Sequence, residues 1–129
     1  MVSISNIIKK ISVLCWLNLF MFPVYSLAGT INATINNSRN TGVAPLAVYF
    51  DGSQSTGLSN NDVLGAFFSW NFADSQSGTW QPTGNSRNLA TGFLAAHVYE
   101  APGEYTVTMH VQDTAGQSAI STVMISVQD

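Results

Sequence analysis

His97 and His110 are the only histidines in the chain, so proton transfer near neutral pH would have to run through one of them or through a pair of carboxylates. Neither stands in a pattern that activates a nucleophile. Gly-x-Ser-x-Gly, His-Glu-x-x-His and a phosphate-cradling glycine loop are all missing. A hydrolase needs a nucleophile beside a base, or a positioned acid–base pair. The sequence therefore points away from an enzyme, with His110 on the wet face of its segment.

Cation binding is the second chemistry to weigh. The polar stretch at 55–62 carries Asn60 and Asp62, and Asp51 or Asp74 could join them. Calcium takes about six to eight oxygens, with carboxylates supplying most of the affinity. The same residues also suit an ordinary polar turn in which Asn and Asp bond their own backbone. No cofactor is required by either reading, and calcium stays an open ligand. Stacking is the third chemistry. Trp80 stands in a polar run beside Gln81, with Arg87 a short distance on. An exposed indole offers a flat apolar face to a sugar ring or a protein partner. The alternative is that Trp80 folds back over an open edge of the core.

Such side chains need a frame, and the sequence describes a β-rich one. Segments 31–35, 46–50, 67–72, 104–112 and 118–127 place apolar residues at alternate positions. Tyr105, Val107, Met109 and Val111 share one face, whereas Thr106, Thr108 and His110 share the other. A period of two means one buried and one wet face. Between the last two segments, Asp113-Thr114-Ala115-Gly116 is a turn sequence, which predicts a hairpin. No segment has a helical period. Short strands between turn signals predict an all-β sandwich with Trp70 as its largest core side chain.

The start of the chain has a different character. Lys9-Lys10, an apolar run at 11–22 and Ser26-Leu27-Ala28 form the pattern of a secretory signal. The run is shorter than the roughly 20 residues a spanning helix needs. We expect a signal peptide at 1–28, cleavage after Ala28, and a secreted domain at 29–129 with no stable membrane anchor. Cys15 leaves with the signal, so the domain has no disulfide. Removing Lys9 and Lys10 leaves Arg39 and Arg87 against seven acidic residues, a net charge of −5. A surface of that sign repels phosphate backbones and anionic membranes, which excludes nucleic acid as a natural partner.

Several motifs, in order, give this domain a family likeness. Segment 42–51 ends in Val48-Tyr49-Phe50-Asp51, and Trp70-Asn71-Phe72-Ala73-Asp74 follows. His97-Val98-Tyr99 then precedes Pro102-Gly103-Glu104-Tyr105, with Asp113-Thr114-Ala115-Gly116 closing the set. Together they resemble the PKD (polycystic kidney disease) domain over roughly 31–127. The resemblance implies an immunoglobulin-like β-sandwich of about seven antiparallel strands. It implies Trp70, Asp74, His97, Tyr99, Pro102, Gly103 and Tyr105 as its structural signature, with His97 in a structural hydrogen bond and Tyr105 in a tyrosine corner.

It also implies a non-catalytic module for extracellular interaction, adhesion or domain spacing, or the leading part of a larger exported protein. A carbohydrate-binding module using Trp80 is the alternative, so polysaccharide or an extracellular protein is the expected partner. Some family members bind calcium near the loop before the Trp strand, here 55–62. Two features depart from the family pattern. Asn71 and Ala73 replace an Asp and a Gly, and the 74–97 connection is about ten residues longer than the family's. Long connections in compact domains are disproportionately functional.

Overall fold

The segments with a period of two become strands whose alternate side chains meet in one core. The computed structural model describes residues 29–129, and the signal expected at 1–28 lies outside the described residues. In chain order the strands are β1 (Asn36–Asn37), β2 (Thr41–Val43), β3 (Leu46–Asp51), β4 (Phe67–Asn71), β5 (Leu89–Thr91), β6 (Leu94–Tyr99), β7 (Gly103–Gln112) and β8 (Ser118–Gln128). They form a three-stranded sheet, β1-β3-β6, and a five-stranded sheet, β2-β8-β7-β4-β5. Leu46, Val48 and Phe50 of β3 face Phe68 and Trp70 of β4, with Val107, Met109 and Val111 of β7 completing the centre. This is the expected all-β sandwich. Among the described residues no helix is long and apolar enough to cross a membrane.

The architecture differs from the expectation in its details. Eight strands are present among the described residues, and β2 pairs with β8 in parallel, Gly42 opposite Val127. The chain leaves the first sheet after β1, joins the second through β2, and returns for β3. Gly42 makes the crossing close: a Cβ there would overlap the Leu46 side chain. Segment 31–35 is not a ladder strand, since its only pairing is a single bridge between Asn32 and Thr56. Ile31 is nevertheless buried, and Ala33 and Ile35 pack against the core. Their alternation reported which way the side chains face, not whether the backbone pairs.

The predicted hairpin joins the two longest strands. β7 and β8 pair from Gly103 opposite Val127 to Gln112 opposite Ser118. Asp113 closes it, with its Oδ1 accepting from Ala115 N and Gln117 N, and Gly116 takes the left-handed conformation at φ 83°. Asp113 also reaches across the fold. Its Oδ2 accepts from Ser59 N (3.1 Å) and Ser59 Oγ (2.8 Å), clamping the 3-10 turn Ser59–Asn61 to the end of the hairpin. Burial pushes the Asp113 carboxyl up, but the hydrogen bonds from Ser59, Gln117 and Ala115 outweigh it and hold the carboxyl below its ordinary value.

Candidate functional site

The signature residues gather at one end of the core. β6 turns Ala95, His97 and Tyr99 inward, and the segment after β4 brings Asp74 beneath them. His97 Nε2 lies 2.8 Å from Asp74 Oδ2, and both side chains are buried. The His97 ring stacks on Phe72 with centroids 4.6 Å apart and meets Tyr99 edge-on. Tyr99 donates to Phe72 O, and Tyr105 donates to Ala101 O at 2.8 Å, which is the expected tyrosine corner, although its ring is half-buried. Burial first, then the charge of Asp74 and the neighbouring Tyr105, pushes the Tyr99 phenol well above its ordinary value. Trp70 donates from Nε1 to Gly92 O at 2.7 Å and is buried. His97 Nε2, Asp74 Oδ2, Trp70 Nε1 and the hydroxyls of Tyr99 and Tyr105 are thus each engaged in a hydrogen bond within the fold. His110 is half-buried on the outer face of β7, opposite Ser69 and Ile120.

Asn71 and Ala73 show what the departures from the family pattern do. Asn71 Oδ1 accepts from Ala73 N and from Asn88 Nδ2, so the amide takes over the turn-holding role of a carboxylate. Ala73 sits at φ 60°, a left-handed conformation that glycine adopts without a Cβ penalty.

The calcium candidates are placed apart. Ser59 and its neighbours Asn60 and Asp62 lie at the Phe67 end of β4, through the clamp on Asp113, whereas Asp74 follows the Asn71 end. Asp74 Oδ2 is moreover engaged by His97 Nε2. Asp51 Oδ1 accepts from Ser53 N at 2.7 Å, and Asn60 adopts a left-handed turn at φ 58°. Among the described residues no three of His, Cys, Asp or Glu gather as a metal-holding group.

The long 74–97 connection is built rather than loose. Trp80 N bonds Asn85 O, Gly84 N bonds Trp80 O, and Arg87 N bonds Gly78 O, folding 78–87 into a small hairpin. β5 then adds a strand beside β4. Arg87 Nη2 reaches Glu100 Oε1 at 3.3 Å and fastens the hairpin to the end of β6. Trp80 is 55% exposed, with the Arg87 guanidinium 5.1 Å from its ring centroid. The indole is therefore not among the buried core residues.

Trp80 instead overhangs the outer face of the three-stranded sheet. There a cleft of about 520 Å³ is floored by outward residues of β3 and β6, among them Tyr49, Ala96 and Val98. Ser38 and Arg39 form its far wall. Ser38 exchanges hydrogen bonds with Tyr49, N–H to O and N–H to Oγ, both 3.0 Å, which holds that wall against β3. Of the sequence candidates, Trp80 and Arg87 line the cleft and Gln81 does not. Tyr49, Val98 and Arg39 were missed. For Tyr49 and Val98 the signal was an aromatic and a β-branched residue on the outward phase of their strands, where polar side chains are the rule; Arg39 lies outside the strands and had no such signal.

Fold and signature together define an immunoglobulin-like β-sandwich module. The PKD domain model matches residues 32–126, and the chain belongs to that family. A solved structure from work on the promiscuous specificity of carbohydrate-binding modules of the β-sandwich super family is similar, with 24% identity and a TM-score of 0.58. The similarity covers 79% of this chain but 36% of that one. No curated protein matches the chain.

Proposed function

We propose that this PKD module is exported and binds carbohydrate without acting on it, through the cleft between Trp80 and Tyr49. The observation that carries the reading is the 55% exposure of Trp80 above an outward face holding Tyr49, which is itself 47% exposed. Two aromatic faces beside apolar Ala96 and Val98 suit the flat, weakly polar faces of sugar rings. A ring spent on core packing would be hidden, as Trp70 is. The β-sandwich shared with carbohydrate-binding modules supplies a compatible frame and nothing finer. No metal is needed for stacking, so retention should survive chelation.

The test is retention of the purified protein on a panel of insoluble polysaccharides, with and without EDTA. Retention on at least one polymer, unchanged by EDTA, supports the reading. Absence of retention on all of them returns the module to adhesion to protein or to domain spacing. Export is tested separately by sequencing the N-terminus of the secreted protein, which should begin at Gly29.

A further inference from the structure

We propose that the cleft selects acidic polysaccharides, whose carboxylate or sulfate groups bind Arg39 and Arg87 while the sugar rings stack on Trp80 and Tyr49. This rests on the carbohydrate-binding reading and names its ligand class. Arg39 and Arg87 are the only lysine or arginine residues in 29–129, a segment with seven acidic residues. Both line this one cleft, and no aspartate or glutamate does. A domain of net negative charge has thus placed all its fixed positive charge at the walls of its aromatic face.

The arginines are also chemically available. Arg39 is exposed and forms no ion pair among the described residues. Arg87 gives Nη2 to Glu100, but Glu100 is 70% exposed and the contact is 3.3 Å, so this is a weak surface pair that a ligand anion can displace. Arg87 Nε is buried and has no hydrogen-bond partner in the protein. A planar guanidinium matches a carboxylate or sulfate with paired N–H donors, and Arg87 Cζ lies over the Trp80 ring, 5.1 Å from its centroid. Repulsion from distant carboxylates is screened beyond about 8 Å at physiological salt. The local charge of the cleft then decides which polymers dock.

The experiment compares matched polymers in solution: polygalacturonate against its methyl ester, and dextran sulfate against dextran. Binding to the purified protein is followed by calorimetry, with Trp80→Ala, Arg39→Gln, Arg87→Gln and Glu100→Gln variants. An acidic member should bind about tenfold or more tighter than its neutral partner, and the preference should shrink as salt rises. Arg39→Gln, on an exposed turn, should cut that preference several-fold without altering melting. Glu100→Gln should strengthen acid binding about two- to threefold by freeing Arg87. Whether polygalacturonate or dextran sulfate shows the effect identifies the anion. Equal binding of the acidic and neutral members, lost in Trp80→Ala, overturns this inference and keeps the carbohydrate reading. Acid binding indifferent to both arginine variants also overturns it. Binding to no polymer, soluble or insoluble, overturns both.

Discussion

His97 Nε2 and Asp74 Oδ2 meet at 2.8 Å, with side chains only 4% and 8% exposed, and His97 also lines the cleft. The pair ties β6 to the segment after β4, and Phe72 and Tyr99 close over it. His97→Ala should leave the buried carboxyl of Asp74 without its partner and remove the stack on Phe72. We expect a loss of about 2–4 kcal/mol in denaturant unfolding. Asp74→Asn retains a hydrogen-bonding group and should cost less.

Ala73 occupies a left-handed position at φ 60° where the family pattern has glycine. The Cβ penalty there is about 1–2 kcal/mol, offset in part by the greater chain entropy glycine loses on folding. Ala73→Gly should therefore stabilise the protein by about 0.5–1 kcal/mol, read as a higher denaturation midpoint with an unchanged slope.

Tyr99 links stability to alkaline pH. Its phenol is held above the ordinary value of 10.0, so the folded state keeps the proton more tightly than the unfolded chain. The stability from the neutral phenol is fully present below pH 10 and is lost as pH rises beyond it. Tyr99→Phe should cost about 1 kcal/mol at neutral pH through the lost bond to Phe72. It should also flatten the alkaline limb of a melting-temperature profile.

Asp113 acts at the other extreme. Its carboxyl lies below the ordinary value of 3.8, so its contribution is present above that pH and fades as pH falls through the folded value. Asp113→Asn should lower stability at neutral pH and shrink the acid-induced loss, because Ser59 and the hairpin turn lose a charged acceptor.

Much of this fold was legible because β3, β4 and β7 put bulky apolar residues inward at alternate positions, as β8 does at Val123, Ile125 and Val127. β6 was legible only as a motif. Its inward residues are Ala95, His97 and Tyr99, while Leu94 and Val98 face out, so the hydropathy phase contradicts the burial phase. That inversion marks the cleft, whose floor is the outward face of β6. β2 and β5 are three residues each, too short for a period to show. Trp80 and Arg87 could be picked out as unusual from their neighbours. Their assembly with Tyr49 and Arg39 could not, because it depends on the 78–87 hairpin folding back over a different sheet. Asp113 was readable as a turn residue, but its grip on Ser59 spans 54 positions and has no local signature.

The most direct measurement is retention of Trp80→Ala on a polysaccharide that holds the wild-type protein, taken beside its thermal unfolding. Removing an exposed ring under an arginine forfeits a cation–π contact of about 0.5–1 kcal/mol, so melting should scarcely move. Retention should fall by about tenfold or more, as expected for an aromatic anchor. Undiminished retention with a clear drop in melting temperature would contradict the cleft as a binding face and make Trp80 a packing residue.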